Sequence, residues 1–284
     1  MTVEDAISKR HIRPLAPIPT GVAPVLSNMH RFSAMLFDVY GTLLISGAGD
    51  IGFDREPTEN MNGVRNLLLR SGINLTPDHL ADALNLTIAR THAMARGQGI
   101  DYPEVDIVQV WQQVLGMDDL SRVKKFALEY ELIVNPVYPM PGLELLLGAC
   151  KNRKMPMGII SNAQFYTVDV LERFIGKTLE MGGFDHRLLF FSWREGHAKP
   201  SAVMFERAKE ALFGLGISAG SVLVVGNDMR NDILPAKAVG FKTALFAGDR
   251  RSLRRRESDD CCRDLSPDLI VTDLRQLIAG TVDA

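Results

Sequence analysis

The feature that most narrows what this chain can fold into is a recurring local grammar: a short, uninterrupted apolar run that stops abruptly at a polar or turn residue. Ala34-Met35-Leu36-Phe37 stops at Asp38, Met157-Gly158-Ile159-Ile160 stops at Ser161-Asn162, and Val222-Leu223-Val224-Val225 stops at Gly226-Asn227-Asp228. Thr243-Ala244-Leu245-Phe246 and Leu269-Ile270-Val271 are two more such runs. Helical patterns separate them, over 142–152, 166–174, 201–213 and 232–239. Strands with no polar alternation are buried on both faces, and helices between them supply the crossovers of a parallel sheet. The order predicts a doubly wound α/β sheet, whose ligands gather at the carboxyl ends of the strands. Asp38, Ser161 and Asp228 fall there.

The segment 49–139 follows a different rule. Helical periodicity runs through 61–69, 77–94, 105–115 and 120–132, with no comparable apolar strand run. A helical domain inserted after the first strand is expected. Gly47, Gly49 and Gly52 mark one hinge, and Pro136, Pro139 and Pro141 the other. The division reads as an N-terminal extension over 1–30, a core over 31–48 and 140–284, and a helical domain over 49–139.

Bulk properties exclude several classes. The chain has 284 residues, 46% hydrophobic and 23% charged, enough to bury a full core with a small domain beside it. A formal net charge of −2 carries no basic excess of the kind that marks many nucleic-acid binders, so a small molecule is the expected partner and nucleic acid is not. Cys150, Cys261 and Cys262 have neither zinc nor disulfide spacing, and a reducing cytoplasm is the expected location. Neither a secretory signal nor a membrane span is readable. Oligomeric state leaves no readable signal. Arg250 to Arg256 holds five arginines in seven residues and reads as a solvated loop.

Four motifs carry the chemistry. Asp38-Val39-Tyr40-Gly41-Thr42-Leu43 sets a carboxylate at a strand end, where desolvation is costly without a cation beside it. Ser161-Asn162 ends a second strand, Lys199-Pro200 with Phe205 follows in a loop, and Gly226-Asn227-Asp228-Met229-Arg230-Asn231-Asp232-Ile233 leaves a third strand for a helix. In this order the four resemble the motifs of the haloacid dehalogenase (HAD) superfamily, across roughly residues 31–278. The resemblance implies a Rossmann-like core with a C1-type helical cap and an aspartate-nucleophile hydrolase. Residue by residue, it implies that Asp38 attacks, that Thr42, Ser161 and Lys199 serve the catalysis, and that Ser161, Asn162, Gly41 and Tyr40 line the substrate. A Mg²⁺ ion would be held by Asp38, the Tyr40 carbonyl, Asp228 and Asp232. The family's Gly-Asp opening of the last motif is Gly226-Asn227 here, so which of Asp228 and Asp232 binds the metal directly stays open.

Tyr40 is the main departure, because HAD phosphatases place there a second aspartate that protonates the leaving oxygen. A phenol with an ordinary pKa near 10 is a poor base at neutral pH, and that route, worth ~10²–10⁴ in rate, is absent or replaced. An Asp-x-Tyr-Gly-Thr string also resembles 2-haloacid dehalogenases, which displace halide without metal or proton donor. Against them stand Asp228 and Asp232: two like charges at about 4 Å cost roughly 4 kcal/mol at an effective dielectric of about 20, so a cation is expected between them. Mg²⁺-dependent phosphate ester hydrolysis therefore ranks first, dehalogenation second, and binding of a phosphorylated ligand without turnover third. Arg90, His92 and Arg96 read as a solvated helix face, His197 as a loop histidine, and Trp111 and Trp193 as packing.

Overall fold

The computed structural model describes residues 7, 9–49 and 60–281. Among these residues eight strands are present: β1 (Ala34–Phe37), β2 (Leu44–Ser46), β3 (Val137–Pro139), β4 (Met157–Ser161), β5 (Phe184–Phe191), β6 (Val222–Gly226), β7 (Lys242–Phe246) and β8 (Leu269–Val271). Six of them form one parallel sheet in the order β5-β4-β1-β6-β7-β8. The chain builds outward from β1 to one side, then returns to the other side through β6. The strand order therefore reverses at β1, and the crevice at its carboxyl end is where such sheets bind ligands.

β1 is central and fully buried. Its side chains divide with the two-residue period of a strand. Met35 and Phe37 join a cluster that includes Met157, Ile159, Leu223 and Val225, whereas Ala34 and Leu36 join the opposite one with Ile160, Val222 and Val224. Helices α5 (Leu143–Asn152) and α6 (Tyr166–Ile175) supply the first face, α7 (Val203–Gly214) and α8 (Leu234–Val239) the second.

Among the described residues, four helices lie between β2 and β3: α1 (Met61–Ser71), α2 (Pro77–Gly97), α3 (Ile107–Leu115) and α4 (Leu120–Val134). Each begins where the sequence supplies a cap or ends where it supplies a left-handed glycine. Thr76, Asp106 and Asp119 accept amide hydrogen bonds at the starts of α2, α3 and α4, and Gly72 and Gly116 end α1 and α3. The ends of this insertion meet in a ribbon that sequence reading missed, with Leu44 opposite Pro139 and Ser46 opposite Val137. Buried Asn135 fastens it, its Oδ1 accepting from Ser46 Oγ at 2.7 Å and from the Ala48 amide at 3.2 Å. Gly47 donates to the Pro136 carbonyl, and Pro139 lies within β3. Gly52, the third glycine expected at the hinge, lies outside the described residues, as do all of positions 50–59.

Before β1, the chain crosses the molecule. Val25 pairs antiparallel with Ile270 on the outer strand β8, and Thr20 donates to the Ala247 carbonyl. Upstream, Arg10 and His11 reach Glu129 on α4 at 2.9 and 2.7 Å, joined there by Arg70 of α1. Among the described residues no helix is long and apolar enough to cross a membrane.

Candidate active site

Asp38 follows the last residue of β1, and its amide donates to the Val225 carbonyl, which fixes the strand end between β1 and β6. The chain then turns sharply. Gly41 sits at φ +83° and donates to the Leu44 carbonyl at 2.7 Å; a Cβ there would fall 2.5 Å from Ser252 and 2.8 Å from Asn227. Only glycine combines that dihedral with that clearance. Thr42 is fully buried and donates to Asn227 Oδ1, while Asn227 Nδ2 donates to the Ser252 carbonyl. Thr42 thus stitches the first turn to two others. The Tyr40 hydroxyl lies 2.9 Å from Thr167 Oγ1 on α6, both buried.

Lys199 sits at the centre. It is 6% exposed, and its Nζ donates to Asp38 Oδ1 at 2.7 Å, to Asp232 Oδ1 at 2.5 Å and to the Ile160 carbonyl at 3.2 Å. Burial alone would lower an amine's pKa, but Asp232 and Asp38 outweigh it and hold Lys199 above its ordinary value, so it is a fixed cation. Asn162 holds the lysine's backbone from both sides, accepting from its amide and donating to its carbonyl. Ser161 Oγ donates to Asp38 Oδ1 at 2.9 Å. Among the described residues, both hydrogen bonds to the Asp38 carboxylate thus go to Oδ1.

The two acids of the last motif separate. Between β6 and α8 the chain makes a wide π-type turn over Met229–Ile233, with the Leu234 amide donating to the Met229 carbonyl. Asp228 caps that turn through the Arg230 and Asn231 amides, and Arg256 grips it with two contacts at 3.1 and 2.6 Å. Asp232 instead turns back over β6, accepting from Lys199 on one oxygen and from the Asp228 amide on the other. Gly226 makes room for it, since a Cβ there would lie 2.3 Å from Asp232 Cγ. Burial first, then the neighbouring Asp38 and Asp228 charges, push Asp232 up to about 7 against the pull of Lys199. Among the described residues, three buried carboxylates thus share two partner cations. Among the described residues, however, Asp38, Asp228 and Asp232 do not bring three oxygens within 4.8 Å of one another.

A family model described as haloacid dehalogenase-like hydrolase matches residues 32–240. The chain belongs to this family. Among solved structures, it resembles the HAD-hydrolase YfnB of Bacillus subtilis bound to magnesium (18% identity, TM-score 0.51), with 88% of this chain and 99% of that one covered. It also resembles a HAD phosphatase of Thermococcus onnurineus (18%, 0.53, covering 88% and 99%) and a 2-haloacid dehalogenase of Pseudomonas syringae (17%, 0.53, covering 88% and 96%). At these identities the likeness shows the fold. No curated protein sequence matches.

Between the insertion and the core of this HAD-like hydrolase lies a cavity of about 440 Å³. Asn162, Ala163 and Ala198 form its core side, and they adjoin Ser161 and Lys199 in the chain. His92 and Trp111 line it; Arg90 and Arg96 are exposed and do not. His197 Nδ1 bonds the Glu195 carbonyl, and Trp193 lines a separate groove near Lys124.

The arginine run departs from a solvated loop. Arg251 pairs with Asp249, Arg254 bonds backbone carbonyls including that of Gly49, and Arg256 holds Asp228, leaving only Arg250 and Arg255 exposed. Besides Arg256, sequence reading missed Thr167, Ser252 and Glu104. Nothing local announces these contacts, because each partner lies 25 or more residues away. The buried Ser252 hydroxyl, which has no hydrogen-bond partner among the described residues, adjoins Gly41.

Proposed function

We propose that the protein is a Mg²⁺-dependent hydrolase of a small phosphate monoester, with Asp38 as nucleophile and the helical insertion as its cap. The observation that carries this reading is the crowding of buried carboxylates: Asp38, Asp228 and Asp232 gathered around Lys199 and Arg256. A cluster of buried oxygen donors, one of which is pushed up to about 7 by burial and its neighbours' charge, suits a hard divalent ion, which binds through one or two carboxylates and completes its shell with water and phosphate oxygens. Asp38 and the Tyr40 carbonyl would hold it with one acid of the Asp228/Asp232 pair. Bound there, the ion would neutralise charge on the phosphoryl oxygens.

The chain's own groups do the rest. With Oδ1 engaged by Lys199 and Ser161, attack on phosphorus falls to Oδ2 of Asp38. The alkoxide leaves on the opposite side, and water then cleaves the aspartyl-phosphate, returning the carboxylate. Lys199, held in place by Asn162 and Asp232, stabilises charge as it accumulates and needs no reorganisation to do so.

A second reading, metal-free dehalogenation of a 2-haloacid, is favoured by one observation: the Tyr40 hydroxyl is engaged with Thr167, and halide departure from carbon needs no proton. Purified protein assayed on phosphate esters and 2-haloacids, each with Mg²⁺ and with chelator, separates the two. Phosphate release that chelator abolishes is the expected result. Halide release that survives chelator would replace the first reading with the second.

A further inference from the structure

Cys261 and Cys262 are adjacent, which is not the spacing of a zinc motif, yet the fold brings both sulfurs to one carboxylate. Asp259 caps a single 3₁₀ turn over Asp260–Cys262, its Oδ1 accepting from the Cys261 amide at 3.3 Å, and its carbonyl accepts from the Cys262 amide. Cys261 Sγ lies 3.1 Å from Asp259 Oδ1 and 3.7 Å from Cys262 Sγ. Among the described residues, no other group of three His, Cys, Asp or Glu side chains brings its ligand atoms within 4.8 Å of one another.

These separations are those of the edges of a coordination tetrahedron. Around Zn²⁺, with Zn–S about 2.3 Å and Zn–O about 2.0 Å, two sulfurs stand about 3.8 Å apart and a sulfur and an oxygen about 3.5 Å. The sulfur pair already has that spacing, and Cys261 and the carboxylate are within a few tenths of an ångström of theirs. The Cys261 thiol donates its proton to Asp259 Oδ1, so a proton sits where an ion would bridge the two atoms. Burial first, then the Cys261 thiol, push Cys262 up to about 11, and an ion entering here must expel that proton. Thiolate donors therefore select a soft or borderline cation over Mg²⁺.

The surroundings fix the donors and leave one side open. Cys262 is buried in a cluster with Met229, Ile233 and Leu245, whereas Cys261 is exposed. Solvent can thus supply the fourth ligand, as it does where zinc keeps three protein ligands. Arg230 lies 3.4 Å from Asp259 Oδ2, the oxygen that neither Cys261 group uses. Its charge offsets the excess that two thiolates and a carboxylate leave around a divalent ion.

We propose that Asp259, Cys261 and Cys262 form a binding site for a sulfur-seeking divalent cation of the Zn²⁺ class, with water as the fourth ligand. None of the three takes part in the hydrolase reading, which stands or falls separately.

Titration of the reduced full chain with Co²⁺ and then Zn²⁺, in excess Mg²⁺ so that carboxylate sites are occupied, tests it. A thiolate-to-cobalt charge-transfer band is expected, saturating at one equivalent per chain and bleached by Zn²⁺; oxygen donors alone do not produce it. Cys261→Ser, at an exposed position, and Asp259→Asn, which keeps a side chain able to cap the turn, are each expected to weaken Co²⁺ uptake at that band at least tenfold. Absence of the band in wild type would overturn the site. So would an affinity left unchanged by either variant.

Discussion

At the scale of single residues, the site depends as much on an absent side chain as on those present. Asp232 can lie over β6 and hold Lys199 only because position 226 is glycine. Gly226→Ala would drive the carboxylate off the lysine and leave two charges buried with poorer partners. Turnover is expected to fall about a hundredfold or more, in line with the loss of one preorganised electrostatic contact, while the fold survives at a cost of ~1–3 kcal/mol. Kinetics beside urea unfolding check both; wild-type kcat in a folded variant would refute the role given to Asp232. Asp38, Ser161 and Lys199 are legible in the sequence because each stands next to a strand end or in a motif. Arg256 is not: it sits in a charge run, and its partner Asp228 is 28 residues away, so only the fold reveals that it takes up a carboxylate expected to serve a metal.

Elements tell a similar story. β1 and β8 were readable to the residue, and β4, β6 and β7 to within one, since central parallel strands are written as apolar runs. The edge strand β5 escaped, because Asp185, His186 and Arg187 interrupt Phe184–Phe191 and its pairing with β4 shifts register. Ribbon strands β2 and β3 have three residues each, too few for any periodicity to show. The helix after β6 was expected from Asp232 but begins at Leu234, the wide turn having absorbed the start. The ribbon's strength rests on Asn135. Asn135→Ala strands the Ser46 hydroxyl and the Ala48 amide and should cost about 1–3 kcal/mol in denaturant unfolding. An unchanged midpoint would show that the ribbon holds without it.

The whole molecule is tied together by its first described residues. Glu129 of α4 collects His11 and Arg10 from that segment and Arg70 from α1. Burial pushes its carboxyl pKa up, but these three partners together bring it below the ordinary 4.5. A group whose pKa is depressed by folding adds stability above its unfolded value and loses it as pH falls toward the folded one. Wild type is therefore expected to melt above Glu129→Gln at neutral pH, with the gap closing once pH drops below 4.5. A gap independent of pH in thermal scans would assign the difference to packing.

The path of that segment also sets a mechanical condition. Its later part is pinned to the rim strand through Val25 and Ile270, its earlier part to α4 through Glu129. One covalent leash therefore joins the sheet to the helical insertion in addition to the β2–β3 ribbon, so the insertion is held at more than a single pivot. To part from the sheet it must drag the leash along or let go of Glu129, whose hold on that segment slackens as pH falls through its depressed pKa.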